Sequence, residues 1–290
     1  MKFFFRIILI LLLPVLANAQ SIPPEVSPPV PPSDAEILRM MTPQSESYLL
    51  TATATQARAM RLNPASVGAY APVNIAYDAH IEDGRIYEHE ILFQNYLFNF
   101  AWRRALSNQM NYRVDQISMS MGFSQPQVNG GFGFNYITTD LPDSKSKLMW
   151  NLSMMLIPDR YSQVVITKRN INPATFAGVE LRGVQSIGIG VWPFWDRDQL
   201  SIGVDYTWPN RVRMVDGGTK FGAEAKLLDF VRIYALYEFT PIYHEQVGMI
   251  GIRVFVPYAS VNVGNSFDSF RNYMSTEASV LVAPEQNTLK

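Results

Sequence analysis

Along most of the chain, apolar and polar residues alternate with a period of two. Val73, Ile75, Tyr77, Ala79 and Ile81 hold one parity, and Asn74, Ala76, Asp78, His80 and Glu82 hold the other. The pattern returns in Ile117, Met119, Met121 and Phe123 against Ser118, Ser120 and Gly122. It returns again in Leu200, Ile202, Val204, Tyr206 and Trp208 against Ser201, Gly203, Asp205 and Thr207. A period of two marks a strand with one apolar face. Runs of this kind lie near 72–82, 86–93, 96–104, 112–123, 129–138, 147–156, 161–168, 179–191, 199–208, 219–226, 230–239, 247–255, 258–265 and 274–283. Asp83-Gly84 is a hairpin turn signal. A parity break at Gln94-Asn95 separates the second run from the third, because Tyr87, His89, Ile91 and Phe93 share a face that Tyr96, Phe98, Phe100 and Trp102 reach only after a shift of one.

Two architectures satisfy this pattern. In a soluble sandwich the apolar face is the core and strands are short, about five to six residues. In an outer-membrane barrel the apolar face meets lipid and strands run about nine to eleven residues. Several runs here reach the longer range. Trp102, Trp150, Trp192, Trp208 and Tyr258 stand near run ends, as an aromatic girdle requires. The polar parity carries Asp78, Glu82, Asp205, Glu224, Arg232 and Arg253, charges that a wet lumen tolerates and lipid does not. Long connections also alternate with tight ones, the asymmetry expected of external loops and periplasmic turns. These features predict an all-β fold: an antiparallel transmembrane β-barrel of about 14 strands over residues 71–283, with a polar tail at 284–290.

The alternation fails before residue 71, and other signals take over. Lys2 and Arg6, an apolar run from Ile7 to Leu16 and Ala17-Asn18-Ala19 form a secretory signal over residues 1–19, cleaved after Ala19. Residues 20–32 are proline-rich and read as an extended tether, with residues 21–32 a docking strand for a periplasmic protein in the sharper reading. Residues 33–70 read as a helical plug. Ser33-Asp34-Ala35-Glu36 matches a capping box and starts a helix through Met41. A second helix is expected over Ser47 to Leu62, ended by Asn63-Pro64. Its Ala and Thr residues suit close packing against a wall, and Arg58 is expected to meet a lumenal carboxylate such as Asp78 or Glu82.

Composition narrows the function classes. The chain has 290 residues, no cysteine and a formal net charge of −1, with 17% charged residues. Zero cysteines exclude thiol chemistry and disulfides, and the near-zero charge argues against nucleic acid as a partner. No nucleophile elbow, phosphate loop or metal-binding motif is present. His80 and His89 fall on opposite faces. No catalytic residue, metal site or cofactor is therefore expected, and an outer-membrane phospholipase is the enzyme alternative that is kept.

A small-residue helix ending in Asn63-Pro64-Ala65, followed at once by the first strand, resembles the FadL-like outer-membrane proteins, which include PorV-type secretion components. Those families commonly carry Asn-Pro-Ala-Gly; here residue 66 is Ser and Gly68 follows two positions later. The stretch Phe221 to Tyr237 and then Val247 to Arg253 is similar to their late hairpins. The chain departs from many outer-membrane barrels in not ending on an aromatic residue. The resemblance implies a barrel in the bacterial outer membrane, with membrane lipid around it and a small hydrophobic molecule passing through or binding within a plugged lumen. The alternative is a structural or secretion-associated protein whose tether and loops dock protein partners.

Overall fold

The computed structural model describes residues 32–43, 49–53, 60–67, 73–95, 98–108, 111–194, 199–240, 245–270 and 272–282. The signal segment, the tether up to residue 31, Arg58 and the tail at 284–290 lie outside the described residues.

A helix α1 (Asp34–Met41) comes first, with the Glu36 N–H donating to Ser33 Oγ at 3.3 Å as the N-cap. The strands follow in chain order: β1 (Asn74–Glu82), β2 (Arg85–Gln94), β3 (Phe98–Leu106), β4 (Arg113–Ser124), β5 (Val128–Thr139), β6 (Lys147–Asp159), β7 (Ser162–Arg169), β8 (Ala174–Phe176), β9 (Val179–Leu181), β10 (Val184–Val191), β11 (Leu200–Pro209), β12 (Gly218–Leu228), β13 (Val231–Thr240), β14 (Glu245–Val256), β15 (Ala259–Asp268) and β16 (Tyr273–Val282). Fourteen of them close into one antiparallel barrel, in which every strand pairs with its chain neighbour, β7 pairs with β10 and β1 pairs with β16. Closure leaves the barrel without an edge, which is the condition for strands to cross a bilayer. Among the described residues no helix is long and apolar enough to cross a membrane.

All fourteen barrel strands overlap the runs read from the alternation. One run divides: residues 179–191 form β9 and β10 as separate strands, and β9 pairs with β8 in a small hairpin outside the barrel sheet. The physical cause is local. Arg182 and Gly183 interrupt the ladder, and a Cβ at Gly183 would stand 2.8 Å from the Asn170 carbonyl oxygen, so the backbone closes there. At the predicted Asp83-Gly84 turn both residues have positive φ, 48° and 72°, as a primed hairpin turn demands.

The parity reading fixes the two faces. Ile202 and Val204 are each 43% exposed on the outer surface, whereas Asp205, next along the strand and of the other parity, is 4% exposed. Ile75, Ile91, Phe123, Phe132, Leu152, Ile250 and Val263 extend this outward apolar band around the barrel. His89 also points outward, its ring 5.4 Å from that of Trp102. Of the five girdle aromatics, Trp192 is a correction. It is 7% exposed and reaches toward Gly190, because it continues the inward parity of β10.

Fourteen strands enclose more space than their own side chains fill. The described N-terminal residues occupy that space. Ile37, Met40 and Met41 of α1 pack with Ala105, Val114, Ile137 and Met149 at the end of the barrel that carries the long loops, under Phe176 and Leu181 of the β8–β9 hairpin. Ala52, Met60, Ala65 and Val67 are all at most 1% exposed.

Candidate functional site

The described N-terminal residues, 32–43, 49–53 and 60–67, lie in that order from the long-loop mouth toward the opposite one. At the mouth, the Asn108 N–H in the β3–β4 loop donates to the Glu36 carboxylate. One helix length on, the Thr42 carbonyl accepts from Arg103 Nη2 at 3.1 Å, below the loop level. The helix therefore runs inward, and Ser33 stands at the mouth. Arg39 helps to seat it, donating to the Leu106 carbonyl at 3.2 Å and to Asn108 Oδ1 at 2.7 Å, with Glu82 at 3.7 Å.

In mid-barrel the segment is held by buried polar contacts. The Asp205 carboxylate accepts from the Thr51 N–H, and Gln163 donates to the Ala52 carbonyl. Arg61 Nη2 meets Glu90 at 2.6 Å, with side chains 4% and 1% exposed. Each of these satisfies a group that would be costly to bury alone.

Toward the opposite mouth, Asn63-Pro64-Ala65-Ser66 forms one 3₁₀ turn. Proline at its start fixes φ and lacks the N–H that would be orphaned there. The Ser66 Oγ–H donates to the Asn63 carbonyl at 2.8 Å, and the Ala65 N–H donates to Ser153 on β6. This turn lies directly on the wall at Gly122 and Gly131. A Cβ at Gly131 would overlap the Pro64 carbonyl, and one at Gly122 would overlap the Val67 carbonyl oxygen. Backbone meets backbone here, so only glycine fits. Gly131→Val should therefore displace the turn while the barrel strands still pair. The check is protease cleavage after Arg61, which should become measurable in the folded variant and stay absent in the parent chain.

The sequence-predicted site residues fall into three groups. Asp78 enters a buried charged cluster with His80, Glu88, Glu90, Arg103 and Glu277, drawn from β1, β2, β3 and β16, and the part-exposed Glu82 meets it through His80. Within it, Arg103 Nη2 meets Glu88 at 2.6 Å and His80 Nε2 meets Glu82 at 2.9 Å. Asp205, Asn63 and Pro64 hold the segment as described. Glu224, Arg232 and Arg253 come together on β12, β13 and β14, with Glu224 accepting from Arg232 at 3.2 Å and meeting Arg253 at 3.0 Å. Arg58 lies outside the described residues; Arg61, three positions on, carries the ion pair to the wall.

Sequence reasoning passed over Arg61, Glu88, Arg103 and Glu277. Strand parity places the last three on the lumen face. What it could not supply was the pairing across strands. The expected helix over 47–62 is replaced at its described ends by turns at 51–53 and 60–62. There the wall contacts of Thr51, Ala52 and Asn63 take the place of helical hydrogen bonds.

Among the described residues, a cavity of about 100 Å³ lies beneath α1. Met41, Pro43, Ile137, Met149 and Leu181 line it together with Arg61, Gln116, Asn135, Arg169 and Arg182. Among the described residues no group of three or more His, Asp or Glu side chains is arranged to hold a metal.

No protein-family model and no curated protein sequence matches the chain. Solved structures share its fold. One is described as the CymD monoaromatic hydrocarbon channel, at TM-score 0.57 and 10% identity, covering 83% of this chain and 96% of that one. The Ralstonia pickettii toluene transporter TbuX matches at TM-score 0.56 and 10% identity, covering 83% and 98%. The Pseudomonas putida toluene transporter TodX matches at TM-score 0.51 and 10% identity, covering 80% and 93%. At the level of the fold, the closed antiparallel barrel expected from the sequence is what the chain forms, and these structures share it.

Proposed function

We propose that this protein is an outer-membrane barrel that binds a small molecule and passes it through a lumen gated by its own N-terminal segment. The observation that carries the reading is the seating of residues 33–43, 49–53 and 60–67. They lie within the lumen yet leave a chamber under α1, and buried polar contacts fix them beside the apolar packing of α1. A segment held this way can shift without unfolding the wall, because the barrel's ladder hydrogen bonds do not involve it. Similarity of fold to channels and transporters for small hydrocarbons supports the passage role. The outward apolar band supports the membrane location, and export by the N-terminal signal with cleavage after Ala19 belongs to the same reading.

Deleting residues 47–62 should raise single-channel conductance in planar bilayers while the barrel stays folded, as judged by heat-modifiable migration. Unchanged conductance in the folded deletion variant would overturn the gated-lumen reading.

The docking alternative takes a particular form here. Pro32 and Ser33 stand at the long-loop mouth, on the side assigned to the exterior by loop length. Support for a periplasmic partner held by residues 21–32 is correspondingly weak, and a protein partner would be met at the loops.

A further inference from the structure

Strands β14, β15 and β16 carry polar side chains that the fold buries without satisfying them. On β16, Glu277 and Ser279 share the lumen face, and on β15 Asn262 stands directly across from Ser279. All three are at most 5% exposed. Both Glu277 carboxylate oxygens, the Ser279 Oγ and the Asn262 Oδ1 lack a hydrogen-bond partner. His80 Nδ1, across from Glu277 on β1, comes no nearer than 3.6 Å, while His80 Nε2 is engaged with Glu82 at 2.9 Å. On the other side Glu277 faces Gly264, which has no side chain to offer. Arg253 on β14, across from Asn262, meets Glu224 at 3.0 Å and has a buried Nε without a hydrogen bond. The N-terminal segment adjoins this patch, because Met60 packs on Leu281, the next inward residue of β16 after Ser279.

We infer that Glu277, Ser279 and Asn262 form a receptor in the lumen wall for a primary ammonium group, carried by a small hydrophilic solute that reaches them when the segment shifts. The inference rests on the gated-lumen reading and names its substrate class. Number and placement carry it. An ammonium has three N–H donors, and the wall supplies a carboxylate, a hydroxyl and an amide oxygen to accept them. Neighbouring strands lie about 5 Å apart and alternate residues of one strand about 7 Å apart, so the three acceptors converge on a single small head group. The Arg253 Nε–H adds a donor beside them, which suits a solute that also carries an oxygen. The charge of the sector agrees. Among the described residues, Asp78, Glu82, Glu88, Glu90 and Glu277 gather there with His80, Arg39, Arg61 and Arg103, so carboxylates outnumber cations even with His80 protonated. A divalent metal is poorly served, since it takes about six or more oxygens and no described group of three His, Asp or Glu side chains is arranged to hold one. A hydrocarbon would leave all of these groups unpaired, and burying polar groups unpaired is costly. The closed lumen carries that cost already. A solute that pairs the groups therefore favours the displaced segment, because it binds that state better.

The test is calorimetric titration of the full mature chain in detergent with ethanolammonium chloride. Potassium chloride serves as the inorganic cation and ethylene glycol as the neutral probe. Ethanolammonium should bind saturably at one site, at least about tenfold more tightly than either, the scale of a charge-assisted hydrogen bond. Glu277→Gln, which keeps the size and removes the charge, should weaken it by a similar factor, and Asn262→Leu should weaken it too. Binding of ethanolammonium no tighter than potassium or ethylene glycol would overturn the ammonium receptor. Binding untouched by Glu277→Gln, in a chain that keeps its heat-modifiable migration, would place the solute elsewhere and overturn it as well. If no probe binds, the receptor falls, and the gated-lumen reading is decided separately by the conductance of the deletion variant. The comparison of probes uses the unaltered chain, so it tests the receptor even if the variants do not fold.

Discussion

Replacing Arg103 with alanine should destabilise the barrel by about 3–5 kcal/mol, the range found when one member of a buried ion pair is removed. Arg103 is completely buried on β3, 2.6 Å from Glu88 on β2. Its other contacts run to Gln116 on β4 at 3.4 Å and to the Thr42 carbonyl at 3.1 Å. One side chain thus ties three wall strands to the end of α1. The truncation leaves a cavity and takes from Glu88 its guanidinium, so the carboxylate must ionise in low dielectric or be protonated. The double replacement Arg103→Met with Glu88→Leu should recover most of the loss, since well-packed apolar residues commonly replace a buried pair without penalty. Reversible urea unfolding in lipid vesicles reads both values. A loss below about 1 kcal/mol for Arg103→Ala, the scale of an exposed pair, would show that the pair does not act as a buried one.

Val204→Arg should cost about 2–4 kcal/mol in the same assay if the site lies near the bilayer midplane, because an outward cation there must leave water for hydrocarbon. Gly203→Arg should behave differently. A Cβ at Gly203 already stands 2.8 Å from Leu50 Cδ1 and 3.1 Å from Thr53 Cγ2. The larger side chain would therefore push out the segment and spare the wall. Raised conductance with retained barrel stability is the expected result at residue 203, and lost stability at residue 204. Cysteine labelling at the two positions checks the register independently. A lipid-soluble reagent should reach residue 204 and not residue 203, and the reverse pattern would overturn the assignment of faces.

How much of this was legible beforehand depends on the range of the interaction concerned. The wall was legible because a strand repeats every two residues, and lipid outside with a polar lumen inside imposes one rule on every strand. Ile202, Val204 and Asp205 therefore declare their faces without any neighbour being known. Asp83-Gly84 and the Ser33 cap are equally local, each set by a few consecutive residues. The Asn63-Pro64-Ala65 turn could be read as a helix stop, but its seat on Gly122 and Gly131 could not. Those glycines look like ordinary strand glycines until the backbone of a distant segment lies against them.

Tertiary structure alone decided the partners. Arg61 faces Glu90 on β2, a pairing set by where the described residues of the segment lie in the lumen. Trp192 turned inward, since parity within β10 outweighed the attraction of an aromatic for the interface. Glu224 gathered Arg232 and Arg253 from two further strands because barrel registry set their side chains level. The division of residues 179–191 has a local origin at Arg182 and Gly183, but the pairing of β9 to β8 as a roof over α1 is a tertiary result. In each case the sequence determined the face and the register parity of a residue. Closure of the barrel around its own N-terminal segment determined what stood opposite, because that contact joins residues that no local period relates.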